Sequence, residues 1–117
     1  MPLRKPAKKS SNTPSGISKA RLAAMVEEAT VDAYGESEQT TGWHTMLEEH
    51  LALPFETTVL GVVVKVASPD LRGDNDIVAI CTRGRERQSV RILDPPLPSP
   101  KPAGAEWIEA YRHWVGG

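Results

Sequence analysis

The sequence predicts an α+β domain in which two N-terminal helices precede an antiparallel sheet and a short C-terminal helix. Apolar residues recur with the helical period up to residue 51, and from Thr57 onward they alternate with the period of a strand. Charge changes along the chain as well. Residues 1–21 carry bases and no acid, residues 22–64 carry eight carboxylates and no base, and the remainder is mixed. These blocks indicate a basic tail, an acidic helical segment and a mixed-charge sheet.

Length and composition limit the class of protein. The chain has 117 residues and one cysteine, Cys81, which excludes an internal disulfide framework and favours a reducing cytoplasm. No apolar run approaches the roughly 20 residues that span a membrane, so no membrane partner is expected. Residues 1–15 are rich in Pro, Lys and Ser and are predicted to be a disordered basic tail. Residues 16–117 are predicted to form the single folded domain.

Three helices are predicted from periodicity and stop signals. The first begins near Ile17, with Ser15 or Ser18 as its cap, and ends at Gly35. The second begins at Glu36 or Ser37 and ends near Leu51. The last covers residues 106–115, after a proline-rich connector at residues 94–102.

A three-stranded meander is predicted between these helices. The first strand runs from Thr57 through Val66, and residues 68–75 form a loop because they contain Pro69 and Gly73. Residues 76–83 and 87–93 then supply the second and third strands.

The turn between the first two helices is the first candidate site. Asp32, Glu36 and Glu38 converge there, and an acidic turn with free carbonyls could supply part of a calcium coordination shell. The spacing is not that of an EF-hand, because no Asp-x-Asp-x-Asp-Gly run is present. The alternative is that these acids only favour the dipole at the start of the second helix.

Two further charged groups were weighed in the sheet region. Asp70, Asp74 and Asp76 resemble part of a metal loop, although Asp and Asn also form ordinary turns. Four arginines could bind phosphate, pair with the acidic helices or protect an edge strand: Arg83, Arg85, Arg87 and Arg91. No aromatic residues interleave with them, so a nucleic-acid partner is not expected. No nucleophile–base signature is visible, and we predict that the protein is not an enzyme.

The order of motifs resembles the bacterial calcium-binding protein family CcbP. The resemblance is carried by EEATVDAYGESEQTTGWHTMLEEHLALPFET and the closing WIEAYRHWV, and it covers residues 20–115. It implies helices packed on a small, barrel-like antiparallel sheet, with Ca²⁺ bound by acidic side chains outside any EF-hand and a role in buffering intracellular calcium. Position by position, it implies these metal ligands: Asp32, Glu36, Glu38, Glu48, Glu49 and, more loosely, Asp74 and Asp76.

The chain departs from the family pattern in two places. Gly35 stands where a further acid would suit the family, and four arginines lie in the strand region. Both departures predict weaker calcium binding or fewer sites. The alternative function is a protein-interaction module, with an acidic helical face for a basic partner and a basic hairpin for an acidic one.

Overall fold

The computed structural model describes residues 17–73 and 75–116 and shows an α+β fold. Helices and strands follow in the order α1 (Lys19–Thr30), α2 (Glu36–His50), β1 (Phe55–Val59), β2 (Val62–Arg72), β3 (Asp76–Arg83), β4 (Glu86–Arg91) and α3 (Ala105–Gly116). The predicted two N-terminal helices and the C-terminal helix are confirmed. The predicted disorder of residues 1–15 lies outside the described residues. Across the part of the chain that the structure describes, every helix is too short or too polar to cross a bilayer.

The helix starts follow from local capping. Ser18 precedes α1, and its Oγ accepts a hydrogen bond from the Arg21 backbone N–H at 3.1 Å. Helix α1 ends at Thr30, earlier than the predicted end at Gly35. The hydroxyl of Thr30 donates to the Val26 carbonyl at 2.7 Å, and Val31 is already extended. The link to α2 therefore begins sooner than the apolar pattern indicated.

The sheet is open, so the barrel-like expectation is wrong. Its four strands pair antiparallel in the order β1-β2-β3-β4, which places β1 and β4 at opposite edges. Closure into a barrel requires the two edge strands to pair with each other, and in the described residues they do not. One face of this open sheet carries the helices, and the packing of α2 on β2 and β3 joins the two layers.

The single strand predicted from Thr57 to Val66 is instead a hairpin. Leu60 and Gly61 both have positive φ, 51° and 78°, and form the turn between β1 and β2. The predicted loop at 68–75 is also wrong over most of its length, since β2 continues to Arg72. A register shift between Val66 and Ser68 admits Pro69, which pairs with Ala79 of β3.

The core lies between the helices and the inner face of the sheet. Trp43 is fully buried at its centre, with ring centroids 6.2 Å from Trp107 and 5.7 Å from both Tyr111 and Trp114. The connector between β4 and α3 is fastened to the opposite edge of the sheet, where the Thr57 hydroxyl donates to the Pro96 carbonyl. This arrangement brings the C-terminal part of α3 against the start of α2.

Cys81 provides a simple check on the packing of the inner face. Its side chain is buried on β3, and burial raises the pKa of the thiol. We expect iodoacetamide to alkylate the native protein at least about tenfold more slowly than the urea-unfolded chain at the same pH. Mass spectrometry of timed samples would measure both rates. Equal rates would show that the packing around Cys81 admits small reagents although the residue is only 6% exposed.

Candidate functional site

A cleft of about 260 Å³ lies where the start of α2, the start of β3 and the end of α3 meet. Glu36 is the first residue of α2 and Asp76 is the first residue of β3, and both side chains line the cleft. Asn75, immediately before β3, lines it as well. Two of the predicted site residues, distant in sequence, therefore share one cavity.

Arg91 of β4 is the basic partner inside this cleft. Its Nε lies 3.9 Å from Asp76 Oδ1, because the register of β3 and β4 places Arg91 beside Val78, two residues along from Asp76. The Arg91 side chain is 71% exposed and the Asp76 side chain is 39% exposed, so the pair contributes little to stability. A cation that entered the cleft would compete with Arg91 for the carboxylate of Asp76.

Tyr111 of α3 forms part of the cleft wall and lies within the electrostatic influence of Asp76 and Arg91. The pKa of the Tyr111 hydroxyl is raised, mainly because the group is buried. The negative charge of Asp76 raises this pKa further, and the positive charge of Arg91 lowers it in part. The hydroxyl is therefore neutral at physiological pH. Within the cleft, Glu36 and Asp76 supply the negative charge and Arg91 supplies the positive charge.

The other two acids of the interhelical turn are placed differently from Glu36. Asp32 is exposed in the link between the helices with φ of 59°. Glu38 accepts a hydrogen bond from the Tyr34 backbone N–H at 2.8 Å through its Oε1. This contact caps the start of α2 and agrees with the helix-dipole alternative for Glu38. The structure does not bring either side chain into the cleft.

The remaining predicted ligands lie elsewhere or outside the described residues. Glu48 and Glu49 are exposed near the end of α2, about 18 Å from Glu36 at the usual helical rise. Glu48 Oε1 lies 3.6 Å from Nδ1 of His44. Asp74 is outside the described residues. Within the described ranges, no three His, Cys, Asp or Glu side chains are grouped so that they could hold a metal ion.

The residues that line the cleft carry the types of oxygen donor that calcium prefers. Ca²⁺ takes about 6–8 oxygen ligands from carboxylates, amide and backbone carbonyls, and water. Glu36, Asp76 and Asn75 offer oxygens of these classes around an open cavity. The described side chains supply only part of such a shell, which leaves room for backbone carbonyls and water.

Sequence reasoning missed two features of the cleft. Tyr111 was assigned only to the apolar face of the last helix, and Arg91 only to a group of hairpin arginines. The position of Arg91 beside Asp76 follows once β3 and β4 are paired in register. The position of Tyr111 depends on how α3 packs, which no local pattern records.

The structure combines an α+β fold with an open cavity whose lining includes two carboxylates and one amide. Residues 23–115 match the family model Calci_bind_CcbP, whose description is calcium binding. The match covers most of the chain, and the protein belongs to this calcium-binding family. No curated protein and no solved structure gave a significant match.

Proposed function

We propose that this protein binds Ca²⁺ reversibly and without catalysis at the cleft between α2, β3 and α3, and that it buffers calcium inside the cell. Family membership supports the choice of ion. The observation that carries the choice of site is that Glu36 and Asp76 line the same cavity. Both are among the ligands that the family resemblance implied.

The donors in this proposal come from two separate elements rather than one continuous loop. The first residue of a helix and the first residue of a strand provide the carboxylates, with Asn75 beside them. The site therefore differs from an EF-hand, in which one twelve-residue loop supplies the ligands. Asp74, next to Asn75 in sequence, remains a candidate ligand.

Affinity is expected to be moderate. Two carboxylates provide little negative charge for a calcium site, and the amide of Asn75 is neutral. The positive charge of Arg91 also repels a bound cation. These features place the expected Kd in the range of about 10⁻⁵ to 10⁻³ M, which runs from the weakest calcium sensors to the extracellular modules. Such a site takes up calcium only when the local concentration rises into that range, and it releases the ion as the concentration falls.

Isothermal titration calorimetry with CaCl₂ and MgCl₂ tests the proposal. Combining Glu36→Gln with Asp76→Asn removes the two negative charges of the cleft and is expected to weaken calcium binding by about tenfold or more. The matched control combines Glu48→Gln with Glu49→Gln. It removes the same charge from the far end of α2 and should change the Kd by less than about twofold.

Arg91→Gln is expected to have the opposite effect on calcium affinity. Removing the guanidinium frees the Asp76 carboxylate and lowers the repulsion of the ion, so calcium should bind a few-fold more tightly. If the native protein gives no calcium heat at millimolar concentration, the proposed function is wrong. If calcium binds but only the Glu48 and Glu49 control loses it, the function stands and the cleft assignment is wrong.

A further inference from the structure

The inner face of the sheet extends beyond its helical cover. Both two-residue turns, at 60–61 and 84–85, lie at the same end of the sheet because the strands form a meander. At this end a groove of about 600 Å³ opens on the inner face, far along β2 and β3 from the calcium cleft. Its apolar lining comes from Val59, Leu60, Val62, Val64 and Val90. We call this feature the hairpin groove.

The stability of the fold does not explain why a leucine stands at position 60, at the rim of the hairpin groove. Its side chain is 98% exposed, so folding gains almost nothing from burying it. Its backbone has φ of 51°, a conformation that costs a branched residue about 1 kcal/mol and that Gly or Asn adopts more easily. Val62, which lines the groove on the same hairpin, is 36% exposed. The tip thus presents apolar side chains to solvent at a cost to the free protein.

The charge around the hairpin groove is mainly positive. Arg83 and Arg87 line it, Arg85 lies in the adjacent turn, and Glu86 is the acid among them. Residues 1–15 carry four bases and no acid, so their charge does not complement these arginines. An occupant with apolar side chains and negative charge matches both properties of the groove.

We infer that the hairpin groove docks an acidic segment of a partner protein that inserts apolar side chains between β1–β2 and β4. The apolar lining would accept the inserted side chains while Arg83 and Arg87 pair with carboxylates of the segment. A concave groove on the face of the sheet fits a peptide segment better than it fits a flat bilayer. The inference is independent of the calcium site.

Fluorescence anisotropy with labelled synthetic peptides tests the inference. The probes are a short set of peptides composed of Leu, Val, Asp and Glu. Two matched sets replace either the acids by Lys or the apolar residues by Ser. We expect the acidic apolar set alone to bind the full chain, and its binding to weaken as NaCl is raised.

Variants of the protein locate the binding. Combining Arg83→Gln with Arg87→Gln should weaken binding by about tenfold. Leu60→Gly removes the apolar tip at a position where glycine fits the backbone, so it should weaken binding without destabilising the fold. The control combines Lys19→Gln with Arg21→Gln on α1, removes the same charge and should leave the affinity within about twofold.

Several outcomes would overturn the inference. They are failure of the acidic apolar set to bind, equal binding by the Lys-containing set, and unchanged affinity of the arginine variant. Flotation with vesicles of anionic phospholipid in place of peptide binding would assign the groove to a membrane. Sedimentation showing self-association that the arginine variant abolishes would assign it to a second copy. A calcium titration that is normal while peptide binding fails would reject this inference and leave the calcium function intact.

Discussion

Replacing Gly104 by alanine is expected to lower the free energy of unfolding by about 3 kcal/mol or more. Gly104 immediately precedes α3 and has φ of 86°, which an L side chain rarely adopts. A Cβ there would also overlap the carbonyl oxygen of His50 at the end of α2. The neighbouring Ala52 N–H donates to the Ala103 carbonyl at 2.7 Å, so the two chain segments are held in close contact. Urea unfolding followed by tryptophan fluorescence would measure the loss.

Gly84→Ala is the matched control for this prediction. Gly84 also has positive φ, 61°, but a Cβ there meets nothing within 4 Å. This variant should lose only the conformational part, about 1 kcal/mol. Equal losses in the two variants would show that backbone conformation, rather than the contact between α2 and the start of α3, determines the effect.

Trp43→Ala is the second large effect that we expect. Trp43 is fully buried and contacts three aromatic rings of α3, so truncation leaves a large cavity between the helices. The expected loss is about 3–5 kcal/mol, a large fraction of the stability of a small domain. Thermal unfolding monitored by circular dichroism would detect it as a fall in Tm or as loss of the native state.

Trp43→Phe separates the ring from its N–H group. Nε1 of Trp43 is buried and has no hydrogen-bond partner among the described residues. Phenylalanine keeps much of the aromatic packing and removes this unpaired donor, so it should cost clearly less than the alanine variant. A phenylalanine variant as unstable as Trp43→Ala would mean that the N–H group or the full size of the indole is essential.

Local signals predicted α2, α3 and the start of α1 well, and the end of α1 and the sheet less well. Helix α2 was predicted at both ends, because an acidic first turn and a following Leu53-Pro54 mark its limits. The β1–β2 turn was missed because Leu60 continues an apolar run and Gly61 alone interrupts it. The second half of β2 was missed because Pro69 is rare inside a sheet, and a register shift accommodates it.

The candidate site was predicted only in part. The acids of the interhelical turn stood out from their charge and from the family resemblance, but sequence gave no means of separating Glu36 from Glu38. In the structure Glu38 turns back to the Tyr34 N–H, four residues away, and caps α2, whereas tertiary packing places Glu36 in a cleft with Asp76. Glu36 at the start of α2 and Asp76 at the start of β3 come together because of the way α2 packs on the sheet. The residue pattern within either element does not predict that packing.

A two-dimensional ¹⁵N–¹H NMR titration of the native protein with CaCl₂ tests the proposed calcium site in the cleft most directly. If calcium binds in the cleft, the shifted amides cluster around Glu36, Asp76 and Tyr111, with little change near Glu48 and Glu49. Shifts that cluster at the far end of α2 and leave the three cleft elements unchanged would contradict binding in the cleft.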